Sequence, residues 1–211
     1  MFYFIKSPFW LQWLYKECVW EIKNAKNSVF LSFDDGPHPE ITPFVLDNLK
    51  EFGAKASFFC IGKNVEQYPE IYQRIIDEGH TVGNHTFQHK NGWKTPLNNY
   101  IEDIQRASTS ISSRLFRPPY GKITRKQILF IKKELHLQPI MWTVLSGDFD
   151  KKCSAEQTYR NVVEKISPGS IVVFHDSLKC GEKLKYALPL VLDFIQQKKW
   201  LAEKIDVLAL L

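Results

Sequence analysis

Several short segments of this 211-residue chain carry ionisable residues at spacings that suit hydrolysis. Asp34-Asp35-Gly36-Pro37 sets two carboxylates side by side before a turn, and His85 and His89 stand four apart in His85-Thr-Phe-Gln-His89. Arg117-Pro118-Pro119-Tyr120-Gly121, Asp148 and His175-Asp176 complete the set. On a helical turn, two imidazoles four apart face the same side and can grip one metal ion. A carboxylate from a neighbouring strand completes a His-His-Asp set that leaves positions open for water and substrate. Asp34 and Asp35 are the two candidates. Adjacent residues on an extended chain point to different sides, so one can bind the ion while the other reaches a water. Two crowded carboxylates repel, so both stay ionised only beside a metal and a cation, and Arg117 can supply the cation. Taken singly, each segment also fits something plainer: a solvated histidine pair, or a tight turn with solvated acids.

The elements that must position these residues are legible from periodicity. Apolar runs rich in β-branched and aromatic residues alternate with helical patterns along the whole chain. Strands are predicted at Val29–Phe33, Ala56–Ile61, from Thr81, at Leu115-Phe116, Pro139–Val144 and Ser170–Phe174, with a last one at 206–210. Helices are predicted between them. Thr42-Pro43 and Thr95-Pro96 each read as an N-cap followed by a first-turn proline. Thr124 and Ser154-Ala-Glu-Gln157 mark two further starts, and a last helix spans 188–199 with Pro189 in its first turn. Seven strands alternating with helices predict a parallel sheet with helices outside it, as a barrel or an open doubly wound sheet. In either, a site forms at the carboxyl ends of the strands. The ionisable segments all fall there, and the strand interiors are apolar.

Composition narrows the class. Hydrophobic residues are 44% and charged residues 24%, which fits a soluble globular domain and excludes a disordered or low-complexity chain. The net charge of +5 lacks the clustered basic excess of a nucleic-acid binder, so no nucleic-acid partner is expected. The four cysteines form no CxxC pair, which argues against a zinc ribbon and fits free thiols in a reducing compartment. The aromatics are unevenly spread. Eight fall within residues 1–20, among them Phe9, Trp10, Trp13 and Trp20. Lys6, Ser7-Pro8, Lys16 and Glu17 break this run, so it predicts neither a cleavable signal nor a transmembrane span. The expectation is a cytoplasmic protein, with peripheral membrane association as the alternative. Residues 1–27 are expected to pack as an extension on a catalytic domain of residues 28–211, with Phe9, Trp10 and Trp13 covering an apolar barrel end or a gap in its wall.

The ordered segments Ser32-Phe33-Asp34-Asp35-Gly36-Pro37, His85-Thr-Phe-Gln-His89, Arg117-Pro118-Pro119-Tyr120-Gly121 and Ile171-Val172-Val173-Phe174-His175-Asp176 resemble the motifs of the polysaccharide deacetylase superfamily, which shares a nodulation-B homology domain. The resemblance runs from about residue 28 to 200. It implies a distorted (β/α) barrel, usually of seven strands. It implies Asp34 as general base, with Asp35, His85 and His89 as ligands of a divalent metal, usually zinc and sometimes another ion such as cobalt. It also implies Arg117 as the holder of the base, Tyr120 as a backbone donor to the oxyanion, His175 as general acid, and Asp148 as the carboxylate that orients it. The implied substrate is an N-acetylated carbohydrate. Alternatives are a small amide, an O-acetyl ester, or a silent carbohydrate-binding relative.

The sequence departs from the family pattern in one segment, Trp142-Thr-Val-Leu-Ser-Gly-Asp148-Phe149. Leu145 stands where an acid is frequent, and Phe149 where tryptophan is frequent. Trp142, Phe149 and Tyr120 are the expected substrate contacts, and Trp93 is a further aromatic that suits stacking on a sugar ring. His38 is expected at the rim, His80 in a structural role and His136 in solvent.

Overall fold

The structure is a computed structural model that describes residues 3–206. Its elements run α1 (Phe9–Leu14), β1 (Ser28–Asp34), α2 (Ile41–Glu51), β2 (Ser57–Cys60), α3 (Gly62–Gln67), α4 (Pro69–Asp77), β3 (Thr81–Asn84) and α5 (Leu97–Ser108). They continue with β4 (Leu115–Phe116), α6 (Arg125–Glu134), β5 (Gln138–Pro139), β6 (Val144–Leu145), α7 (Ala155–Val163), β7 (Ile171–His175), α8 (Gly181–Gln197) and β8 (Leu201–Ala202). Seven strands lie in the order β5-β4-β3-β2-β1-β7-β6, all parallel, and short β8 adds to β1. Helices cover the outside, as the alternation requires.

The two edge strands are consecutive in sequence. Only residues 140–143 separate β5 from β6, and a link that short spans at most roughly 18 Å. The edges of a seven-strand sheet can approach so closely only if the sheet curls, so it forms a half-barrel that is nearly closed. Residues 5–19 stitch the remaining opening. Val19 N–H donates to Pro139 O and Met141 N–H to Val19 O on one edge. On the other, Ser7 N–H donates to Thr143 O and Leu145 N–H to Ile5 O. Unpaired strand edges thus find partners instead of facing solvent.

Central β1 is buried along its whole length. Leu31 and Phe33 join the outer core beneath α2 and α8, while Phe30 joins the inner one. Strand periodicity therefore turns Phe30, Ser32 and Asp34 toward the barrel interior. Burial on both faces explains the near-continuous apolar run.

Several expectations need correction. Pro139–Val144 is two strands, not one, because the chain crosses the opening there. The last strand is Leu201–Ala202; positions 207–210 of the expected one lie outside the described residues. Helix α8 runs straight through Pro189 instead of starting at it. Leu184, Ala187, Leu188, Val191, Leu192 and Ile195 bury one continuous face, and that outweighs the cost of an interior proline, about 3 kcal/mol. Helix α3 has no counterpart among the expected elements; only Gly62 and Val65 are buried in it, too few to give a period. Thr42 caps nothing: its hydroxyl donates to Asp176 and accepts from His38 N–H.

The aromatic start also differs from expectation. Phe9, Trp10 and Trp13 are 81%, 58% and 69% exposed, and α1 buries no residue. Cys18 and Trp20 are the buried ones, packed with Tyr100, Phe116 and Met141. All four cysteines are buried and free. Among the described residues, no helix is long and apolar enough to cross a membrane.

Candidate active site

Strand register brings the ionisable residues to one rim. Asp34 ends β1 level with His175, which ends β7. Asn84 at the end of β3 is level with Cys60 and Phe116, so His85 and Arg117 step off their strands together. Asp34, Asp35, His85, His89, Tyr120, Trp142, Phe149 and His175 line one cleft of about 700 Å³. Arg117 and Asp148 lie directly beneath, both fully buried.

Arg117 fills the barrel interior under Asp34. Its Nη1 donates to Asp34 Oδ1 and to Ser32 Oγ, both at 2.7 Å. Nε and Nη2 donate to the carbonyls of Ile140 and Met141, each at 3.2 Å, and the guanidinium stacks on the Phe59 ring at 3.9 Å. A buried charge is tolerated only when paired and fully hydrogen-bonded. This fork is paired, each of its three nitrogens has a hydrogen-bond partner, and it fixes Asp34 at one oxygen.

Asp35 points another way because its backbone does. Its φ of 81° reverses the chain just past β1. Asn64 Nδ2 donates to the Asp35 carbonyl at 2.7 Å, and Asp176 accepts from Gly36 N–H at 2.9 Å, so the turn is clamped on both sides. The Asp35 carboxylate lies with Oδ1 3.1 Å from His89 Nε2 and 3.7 Å from His85 Nε2. The histidines are not on a helical turn, as their spacing suggests; they lie on the loop after β3, where Thr86 (φ 63°) and His89 (φ 55°) bend the chain back. The loop is held by Asp103, which accepts from the N–H groups of Phe87 and Gln88.

These three side chains fit a divalent cation. Their ligand atoms lie within 4.8 Å of one another. Asp35 Oδ1 is buried without a hydrogen bond of good geometry. His85 Nδ1 meets the Arg117 carbonyl at 2.7 Å; a carbonyl only accepts, so Nδ1 carries the proton and Nε2 keeps its lone pair toward Asp35. Burial pushes His85 down to about 4, so it is neutral near pH 7. Burial would raise the Asp35 carboxyl, but the adjacent His89 and the charge of His175 hold it below the usual carboxylate range.

His175 sits opposite in kind. Its Nδ1 lies 2.8 Å from Asp148 Oδ1, and its backbone N–H donates to Asp148 Oδ2 at 2.7 Å. Burial alone would lower this imidazole. The Asp148 carboxylate, with smaller contributions from Asp35 and Asp34, outweighs burial and raises it to about 10. One histidine is thus kept neutral and the other charged within one cleft, the separation that acid and base roles need.

The remaining residues sort as follows. Tyr120 has a φ of 61°, and its hydroxyl lies 3.1 Å from His89 Nδ1. Phe149 packs edge-on against His175 with centroids 5.4 Å apart. Trp93 also lines the cleft, half-exposed, with Lys122 Nζ 4.0 Å over its ring. His80 is buried and accepts from Ala56 N–H, away from the cleft. Asp176 has a positioning task that sequence reasoning missed. It holds Gly36 N–H and the Thr42 hydroxyl, and its own N–H donates to Asp34 O. An acid directly after the strand-end histidine is the signal that could have found it. Asn64 offers no such signal, because its short helix has no readable period.

Residues 21–140 match the family model for polysaccharide deacetylase. A peptidoglycan-N-acetylglucosamine deacetylase of Bacillus cereus is 37% identical over 72% of this chain and 57% of that protein, so the match spans little more than half of that relative. A chitooligosaccharide deacetylase of Azorhizobium caulinodans is 35% identical over 74% of this chain and 76% of its own. A solved structure of the peptidoglycan N-acetylglucosamine deacetylase Bc1960 superposes with a TM-score of 0.81 and 31% identity, covering 93% of this chain and 94% of the other. By family model, by relatives and by fold, the chain belongs to the polysaccharide deacetylase family.

Proposed function

We propose that this chain removes acetyl groups from N-acetylated sugars, in oligo- or polysaccharides that contain N-acetylglucosamine. The family is generally metal-dependent, and the Asp35, His85 and His89 set suits that chemistry. Two imidazoles and a carboxylate favour zinc, with cobalt or another divalent ion as the substitute. Bound there, such an ion would acidify a water and polarise the acetyl carbonyl.

The chain's own residues supply the rest. Arg117 holds Oδ1 of Asp34, which leaves Oδ2 to take a proton from the attacking water. The Tyr120 N–H is the proposed donor to the developing oxyanion, where a preorganised dipole counts most. His175 directs Nδ1–H at Asp148, so Nε2–H delivers a proton to the departing nitrogen. Acetate and a free amine leave. An O-acetyl ester would use the same groups.

The observation that carries this reading is the pairing of opposites in one cleft: a carboxylate fixed by a buried arginine, and an imidazolium fixed by a buried aspartate. The test is acetate release from chitooligosaccharides by the metal-loaded protein, with Asp34→Asn expected to abolish it. His85→Ala should lose the bound metal, read by elemental analysis. Full metal occupancy in His85→Ala would sink the ligand assignment. Turnover of small amides alone would replace the sugar substrate, and sugar binding without turnover would make the chain a binding relative.

A further inference from the structure

Residues 3–20 do more than close the half-barrel. Tyr3, Phe4, Trp10, Leu11, Tyr15 and Trp20 line the same cleft as Asp34, Asp35 and His175. The apolar wall is continuous with the chemistry: the Tyr3 ring lies 5.0 Å from Phe149, and Phe149 lies 5.4 Å from His175. Met141, Leu145 and Leu178 add aliphatic surface to the lining. Leu145 is one of the positions where the family frequently has an acid. Two of the lining residues, Trp10 and Leu178, are 58% and 66% exposed. An apolar lining that reaches from His175 out to exposed side chains marks a binding site.

The wall is poorly suited to sugar hydroxyls. A carbohydrate subsite needs free donors and acceptors beside its aromatic faces, but several polar groups of this arm are spent on the protein itself. Tyr3 OH donates to Asp150, Ser7 Oγ to Trp142 O, Gln12 to Ser7 O, and Trp20 Nε1 to Tyr15 O. Leucine and methionine side chains offer carbon without the flat face on which a pyranose stacks.

We propose that the substrate is an N-acetylated sugar joined to an apolar chain, and that residues 3–20 hold this chain beside the catalytic residues. The inference rests on the deacetylase reading and names its substrate class. A plain polysaccharide would leave the arm's carbon surface in water. An alkyl chain leaving the sugar along the cleft would cover it, with a gain that grows with each methylene buried.

The probes are methyl and octyl N-acetyl-β-D-glucosaminide, used well below micelle concentration so that binding reports the cleft and not a lipid surface. Affinity is read from intrinsic tryptophan fluorescence, and turnover from acetate release. The octyl glycoside should bind at least tenfold tighter, about 1.4 kcal/mol. Trp10→Ser and Leu178→Ser, both at exposed positions, should each narrow that gap to within about threefold. Equal affinity for the two glycosides would overturn the proposal, and so would a gap that neither substitution changes. If the octyl preference holds but neither glycoside releases acetate, the deacetylase reading falls and the chain site stands as a binding site.

Discussion

Replacing Asp148 by Asn tests the reasoning about His175 most directly. The shape is kept, and the amide oxygen can still accept from the His175 backbone N–H. The negative charge is lost. His175 rises from 6.5 to about 10 against the pull of its own burial, and Asp148 is the foremost cause of the rise. A rise of that size corresponds to a preference for imidazolium on the order of 5 kcal/mol. Without Asp148, burial pulls the imidazole back down toward its ordinary range. At pH 8, a group titrating near 7 is protonated in about one molecule in ten. Loss of the acid form alone then costs about tenfold in kcat, and misorientation of the ring adds to it. The assay is the pH dependence of kcat for acetate release at equal metal loading, since a cation at Asp35 offsets the contribution of the neighbouring carboxylates. The wild type should hold its rate to about pH 10, whereas the alkaline limb of Asp148→Asn should move down by two or more pH values. Stability gives an independent readout. A histidine raised on folding stabilises below its unfolded value of 6.5, and this is lost as pH climbs through about 10. Urea midpoints should therefore differ most between the two proteins below pH 6.5 and converge toward pH 10. An alkaline limb unmoved in Asp148→Asn would refute the assignment of His175 as an acid poised by that carboxylate.

Other outcomes follow from the same contacts. Gly36→Ala should destabilise by about 1–3 kcal/mol through overpacking and lower metal affinity, because its Cβ would lie 2.6 Å from Asp176 Cγ, which Thr42 and Gly36 itself hold in place; a normal melting temperature with full metal content would contradict this. Arg117→Lys should abolish measurable turnover and lower stability, since the carbonyls of Ile140 and Met141 lose their donors at about 1–3 kcal/mol for each buried group left unpaired; thermal melts and acetate release check both. Trp20→Ala should cost about 3–5 kcal/mol because the ring is buried, whereas Trp13→Ala, at a 69% exposed position, should leave the urea midpoint where it is.

The chemistry and the alternation are legible in the sequence alone. Ionisable groups at strand ends are conspicuous because the strands before them are apolar, and a parallel fold sends those ends to one rim. Asp34, Asp35, His85, His89, Arg117, Tyr120, Asp148 and His175 meet there for that reason. Features that depend on distant partners are not legible. Propensity starts the last helix at Pro189, and only the buried face of α8 against its neighbours carries it back to Gly181. The run from Pro139 to Val144 looks like one strand until the opening it crosses is known. Phe9 and Trp13 look like core by type, yet the core takes Cys18 and Trp20, because backbone pairing with residues 139–145 fixes which part of the arm faces inward. Asp176 is marked by its place after a strand-end histidine, but its task is not, because the glycine N–H and threonine hydroxyl it holds are 140 and 134 residues away in sequence.

The stitching of the arm also bears on how the protein comes to be active. Ser7 bonds Trp142 across 135 residues, and Tyr3 bonds Asp150 across 147. Contacts of such separation are slow to form, because the closure entropy of a long loop must be met before the contact returns anything. During synthesis, this segment emerges 135 residues or more before the partners Trp142 and Asp150. Until then Trp20, buried in the folded chain, is exposed. Folding should therefore show a late phase in which Trp20 fluorescence changes, and the cleft should acquire its apolar wall only in that step.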